Sequence, residues 1–260
     1  MRVVSLVPSI TEALATLPEV ALVGATDWCT HPADLDARGV ARVRGTKNPD
    51  VAAIVALGPD LVVANKEENR ELDVRRLREQ GVRVEVTDIA TVPDAVAAYR
   101  HLLGLLDAHE PAWLAEAERL WCGPLPPVTT RVAVPIWRDP WMVVGGDTFT
   151  SDLCRRLGWE NVFADADRYP RVEIAEIEKR RPDVVLLPDE PYVFTADDGP
   201  EAFGVPTALV SGRLLTWYGP SLVDAASMAE LVRENWTLSG ETSPDNVQFP
   251  RISGETGPRT

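Results

Sequence analysis

Cysteine is scarce in this 260-residue chain: Cys29, Cys122 and Cys154 lie far apart, form no CxxC pair and are odd in number. That excludes a disulfide framework and a thiolate zinc site, and reduced thiols point to the cytosol. Long apolar runs are missing too. The first, Val3-Val4-Ser5-Leu6-Val7, stops at Pro8, short of a signal-peptide core, and no later run approaches membrane-spanning length. The expectation is a cytoplasmic protein with no membrane partner. Basic charge is in deficit, with 26 Lys and Arg against 40 Asp and Glu and a formal net charge of −14. Such a surface repels a phosphate backbone, so nucleic acid is excluded as a partner. Catalytic signatures are also lacking: there is no GxGxxG, P-loop, GxSxG or HExxH.

What is present is a repeated strand-and-helix rhythm, with 45% hydrophobic residues to fill two cores. A β-rich run over 2–7 breaks at Pro8-Ser9, and Ser9 with Glu12 three residues on reads as a capping box opening a helix. Strands are expected at 21–25, 61–64 and 82–86, with helices at about 51–57 and 69–80. Leu61-Val62-Val63-Ala64, bounded by Pro59-Asp60 and Asn65-Lys66, has the continuous apolar character of a parallel strand buried on both faces. Thr91 caps the next helix, with Pro93 just inside it and Asp94 three residues after the cap. Apolar residues then recur at helical spacing up to Gly123-Pro124, interrupted by Pro111 alone. About 28 residues at about 1.5 Å each would span on the order of 40 Å, suited to a strut between lobes.

The rhythm restarts after the strut. Strands are expected at 131–134, 184–187 and 207–210, and helices near 150–157, 174–179 and 221–232. Ile54, Pro59-Asp60-Leu61-Val62 and Glu67 match Ile177, Pro182-Asp183-Val184-Val185 and Glu190 at one common offset, which Gly81-Val82 and Gly204-Val205 share. A shared offset favours duplication. The organisation expected is an α/β lobe at 1–90, a connecting helix at 91–122, a second α/β lobe at 123–238 and a polar, flexible tail at 239–260. The tryptophans at 113, 121 and 236 read as helix-face packing, and Trp159 as lobe core.

Two duplicated α/β lobes, a helical strut and the phrase Val4-Ser5-Leu6-Val7-Pro8-Ser9-Ile10-Thr11-Glu12 together resemble the helical-backbone solute-binding proteins, whose members take up cobalamin, haem and ferric siderophores. Supporting motifs are Ile54-Val55-Ala56-Leu57-Gly58-Pro59-Asp60, Asp147-Thr148-Phe149, Gly158-Trp159-Glu160-Asn161-Val162-Phe163 and Arg181-Pro182-Asp183. The chain is most similar to the cobalamin-binding branch, which implies a corrinoid held between two lobes. The resemblance also implies one permease-docking glutamate per lobe. This sequence has Ala52 and Ala175 at those positions, so the expectation is a receptor to which permease docking is lost, with Asp50, Glu173 or Glu176 as nearby substitutes.

Open α/β sheets bind ligands beyond the carboxyl ends of their strands. That rule nominates Pro8, Ser9 and Thr11 after the first strand and Lys66, Glu67 and Asn69 after the third. In the second half it nominates Trp137, Arg138 and Trp141, then Glu190 and Tyr192, with Trp217 and Tyr218 late in the chain. Two indoles and a guanidinium in six residues suit a large planar ligand. Trp28-Cys29-Thr30-His31 adds Trp28 as a stacking ring and His31 as a ligand for the bound molecule's metal. The expected function is therefore a monomeric small-ligand-binding protein that clasps a cobalt corrinoid or iron chelate and needs no cofactor of its own. A repurposed regulatory or scaffold module, or a small-molecule enzyme on the same fold, is the alternative.

Overall fold

The computed structural model describes residues 1–234. They form two compact units, Met1–Gly123 with Trp217–Val223, and Pro124–Thr216 with Asp224 onward. The first unit holds β1 (Arg2–Ser5), α1 (Pro8–Leu14), β2 (Ala21–Ala25), β3 (Ala41–Arg42), β4 (Arg44–Gly45), β5 (Asn48–Pro49), α2 (Val51–Ala56), β6 (Leu61–Asn65), α3 (Glu71–Glu79), β7 (Val84–Thr87), α4 (Val92–Leu106) and α5 (Ala112–Trp121). The second holds β8 (Thr130–Ala133), β9 (Pro135–Trp137), β10 (Met142–Val143), α6 (Phe149–Arg156), β11 (Trp159–Asn161), α7 (Ile174–Lys179), β12 (Val184–Pro188), β13 (Thr207–Val210) and α8 (Gly212–Thr216). α9 (Ser221–Asp224), a 3-10 turn (Ala225–Ser227) and α10 (Met228–Glu234) close the described chain.

Both main sheets are parallel, in the orders β3-β2-β1-β6-β7 and β11-β8-β12-β13. The central strands β6 and β12 are buried along their whole length, as their unbroken apolar runs require. Val4, Leu6, Ile54, Val62 and Leu77 fill the first core. Val143, Phe163, Ile177, Val185 and Phe194 fill the second.

The duplication extends to individual hydrogen bonds. Asp60 accepts the backbone N–H of Arg2 at 2.7 Å, and Asp183 that of Arg131 at 2.7 Å. The Arg2 guanidinium donates to the carbonyls of Leu57 and Gly58, and the Arg131 guanidinium to those of Arg180 and Arg181. Gly58 and Arg181 both turn through the left-handed region, at φ 57° and 54°. Each Pro-Asp motif thus closes the start of its sheet by tying the helix end before it to the first strand.

Three expectations need correction. α1 begins at Pro8, with Val7 as an uncapped N-cap, so the Ser9–Glu12 capping box does not form. Proline fits the first helical position because its missing N–H would be unsatisfied there anyway, which pushes Ser9 inside the helix. The single helix over 91–122 is two helices. Thr91 and Asp94 do form the expected capping box, but Asp107 ends α4 at φ 51°, a conformation Asp tolerates better than most residues. Pro111 keeps Glu110 out of helical geometry and becomes the N-cap of α5. The second helix folds back on the first: Arg100 bonds both Glu110 and Glu118, and Tyr99 meets Trp113 edge-on at 5.0 Å. Finally, this hairpin belongs to the first unit, as does Trp217–Val223, so no boundary falls at 90, while the division after Gly123 lies within one residue of the expected start of the second lobe. Trp236 and the tail at 239–260 lie outside the described residues.

Candidate ligand-binding faces

In each sheet the chain leaves the central pair of strands in opposite directions, which opens the loops after β1 and β6, and after β8 and β12, at one end of the sheet. In the first unit, Pro8 is half-buried while Ser9 and Thr11 are buried. The Thr11 hydroxyl donates to the Val7 carbonyl at 2.9 Å and meets Cys29 Sγ at 3.0 Å, with Thr26 Oγ1 at 3.1 Å on the same sulfur. Burial raises the Cys29 thiol pKa, and the two threonines offset only part of that rise. Thr11 and Cys29 are therefore braces.

Asn69 is also a brace. Its amide donates to the carbonyls of Leu6 and Thr46 at 3.2 and 2.9 Å, and its oxygen accepts the N–H of Asn65 at 2.8 Å. Asn65 Oδ1 in turn accepts the backbone N–H groups of Glu67 and Glu68, at 2.8 and 3.3 Å. This turn fixes where the two glutamates leave the sheet. Lys66 pairs with Asp88 at 2.6 Å, and the Lys47 ammonium donates to the Glu67 carbonyl.

Trp28 is 66% exposed. His31 is half-buried; its Nδ1 hydrogen-bonds Thr30 Oγ1 at 3.0 Å, and its ring meets Trp217 edge-on at 5.5 Å. Trp217 and Tyr218 are buried. The Tyr218 hydroxyl reaches Glu68 Oε1 at 3.5 Å, and that of Tyr99 donates to the Ser9 carbonyl at 3.2 Å. Burial pushes both phenols well above the ordinary tyrosine range, and neighbouring glutamates push them further, Glu12 and Glu68 for Tyr99, Glu68 and Glu67 for Tyr218.

In the second unit the loop after β8 is the β9–β10 hairpin. Its alternation sends the two indoles opposite ways: Trp137 is 45% exposed, whereas Trp141 is buried between Phe194, stacked at 5.9 Å, and Phe203 at 5.1 Å. Trp141 thus lies in the core rather than on the loop surface. Tyr192 packs edge-on to Trp137 at 5.7 Å and donates its hydroxyl to Asp198 at 2.6 Å. That bond raises the Tyr192 pKa. Arg138 bonds Asp198 and, at 2.5 Å, Glu201. Glu190 lies against Gly212, where a Cβ would come within 2.3 Å of its Cγ, and Asp189 accepts the Gly212 N–H at 2.6 Å. Asp198 and Glu201 were missed from sequence; their only signal is the acidic stretch that follows the Tyr192 loop.

The structure therefore brings Trp28, His31, Lys66 and Glu67 to one loop surface, over buried Ser9, Trp217 and Tyr218, and Trp137, Arg138 and Tyr192 to another. It gives Thr11, Asn69 and Trp141 to packing. Among the described residues no group of three or more His, Cys, Asp or Glu is arranged to hold a metal ion, and no helix is long and apolar enough to cross a membrane.

No protein-family model matches the chain. In sequence it is 28% identical to the vitamin B12-binding protein of Salmonella typhi over 193 residues, 72% of this chain and 71% of that protein. In structure it matches the periplasmic haem-binding protein BhuT, solved with two haems, at a TM-score of 0.71 and 22% identity over 89% of this chain and 97% of the other. The periplasmic vitamin B12-binding protein BtuF of Vibrio cholerae matches at 0.65 and 17% identity, over 89% and 96%. These relatives are binding proteins, not enzymes. They also overturn the cytoplasmic expectation, since the solved relatives are periplasmic. Two of the three cysteines, Cys29 and Cys154, are buried, and burial raises both thiols, Cys154 up to about 12, while Cys122 is exposed. Buried thiols of this kind are unreactive, so these two say nothing about the compartment.

Proposed function

We propose, for a chain whose relatives in sequence and fold are the helical-backbone binding proteins near their vitamin B12 branch, that it binds a large planar metal chelate of the corrinoid or haem class. The observation that carries this reading is the exposed indole on the loop surface of each unit, Trp28 in the first and Trp137 in the second. An exposed ring costs solvation that a flat ligand recovers. Trp137 is held edge-on by Tyr192, and Trp28 lies three residues before His31. His31 is the group we assign to reach the ligand's metal. Buried Trp217 and Tyr218 support that surface from beneath.

The ligand assigned is a cobalt corrinoid or an iron tetrapyrrole, and the metal comes with it. The expectation that permease docking is lost draws on Ala52 and Ala175, both exposed on α2 and α7. The periplasmic relatives lend it no support. Asp50, one of the substitutes considered, is already engaged, capping α2 through Ala53 N–H and pairing with Arg44 at 3.3 Å.

The test is a tryptophan-fluorescence titration with cyanocobalamin, dicyanocobinamide, haemin and a ferric siderophore, corrected for ligand absorbance and repeated by calorimetry. Saturable binding of a tetrapyrrole at micromolar or tighter concentration is the expected result. Four flat titrations would remove the reading.

A further inference from the structure

The first sheet has a second concave surface, at the end away from the loops that follow its strands. β3 pairs only with Gly24 and Ala25, so the first three residues of β2 have no strand beside them on that side. The gap opens a groove of about 500 Å³ between β2 and the segment 35–40, a volume typical of small-molecule sites. Leu35 is buried in its floor, and Val20, Leu22 and Val23 are half-buried along it. Arg2 and Ala21, which also line it, begin β1 and β2. The groove therefore lies where the strands start, and the loops nominated for the chelate lie where they end.

Among the described residues that line the groove, Arg2 and Arg38 alone are charged, in a chain whose formal net charge is −14. Both guanidiniums are held at helix ends. Arg2 donates to the carbonyls of Leu57 and Gly58 behind α2, and Arg38 to that of Ala15 behind α1 at 3.3 Å. Carbonyls are neutral, so they orient a guanidinium and leave its charge in place. Arg2 has no side-chain carboxylate partner among the described residues, since Asp60 takes its backbone N–H. Arg38 pairs with Asp34 at 2.9 Å, both side chains being about half exposed, where water screens the pair. A guanidinium takes a carboxylate or a phosphate through paired N–H bonds, and an apolar chain laid along Leu22 and Val23 leaves water.

We propose that the groove at the start of β2 is a second binding site, for a single-chain amphipathic anion, with Arg2 and Arg38 holding the head group and Val20, Leu22 and Val23 the chain. The site uses none of the residues assigned to the chelate and stands whether or not a chelate binds.

The experiment is calorimetric titration of the full chain with decanoate and with decyl phosphate, against decyltrimethylammonium and acetate, all below micelle-forming concentrations. Amide NMR spectra locate the site. The expected result is saturable binding of a decyl anion, at least about tenfold tighter than the decyl cation or acetate, with resonance shifts at residues 20–23 and 38–40. The tighter of the two anions identifies the head group. Arg38→Gln should weaken that binding by at least about fivefold. Ala21→Glu, which sets a carboxylate at the exposed start of β2, should weaken it by at least about tenfold, and it keeps the test open if the arginine variant does not fold. Neither anion binding, the cation binding as tightly, shifts confined to other residues, or an affinity that the folded variants leave unchanged would each overturn the proposal.

Discussion

At the residue scale, the tryptophans divide by what their rings already touch. Trp28 and Trp137 face solvent, while Trp141 and Trp217 are buried against other rings. Trp28→Ala and Trp137→Ala should each weaken chelate binding by about tenfold while leaving the melting temperature unchanged. Trp141→Ala should instead cost about 3–5 kcal/mol of stability, because it opens a cavity against Phe194 and Phe203. Fluorescence titration and thermal melts of the three variants separate the roles. Sequence placed all four rings in loops after strands but not which way they point. For Trp137 and Trp141 the deciding fact is a two-residue register in a hairpin, and nothing in Ile136-Trp137-Arg138-Asp139-Pro140-Trp141 marks its strands. Thr11 and Asn69 were nominated for their position, and their hydrogen bonds to Val7, Leu6 and Thr46 appear only once distant loops meet.

At the element scale, the break between α4 and α5 is what turned an expected strut into a hairpin. Apolar periodicity runs through it almost undisturbed, so the pattern that reads helix cannot register a left-handed Asp107. The turn is fastened by His109 to Glu19 at 2.7 Å. The hydrogen bond raises the His109 pKa and lowers that of Glu19. The link is therefore complete while His109 is charged and Glu19 ionised. It is lost as pH rises through the elevated histidine pKa, and lost again as pH falls through the depressed glutamate pKa. Melting temperatures of His109→Gln and the unaltered protein should differ most near pH about 5–6 and converge by pH about 9. A gap that widens toward alkaline pH would contradict the assignment. The elements that were legible, β2, α7 and β13 to the residue, are those whose apolar pattern and boundaries coincide.

At the scale of the whole molecule, the repeat was readable because Pro59-Asp60 and Pro182-Asp183 do the same work, each closing a sheet through Arg2 or Arg131. The chain's return was not. Trp217–Val223 belongs to the first unit although nearly a hundred residues of the second precede it. Trp121 Nε1 donates to the Leu222 carbonyl at 2.8 Å, and a Cβ at Gly219 would lie 2.6 Å from the Ser9 carbonyl. Gly219→Ala should cost about 1–3 kcal/mol and loosen α1 selectively, which amide exchange at residues 9–14 would report. Uniform loosening of both units would count against this.

That returning segment also sets an order of events in the chain's making. Synthesised from its amino terminus, the first unit emerges with one of its pieces still unmade, and Ser9, Tyr99 and Trp121 wait for residues from the other end. The first unit stays unfinished until Trp217–Val223 has been made, so it does not reach its final form as an independent early fragment.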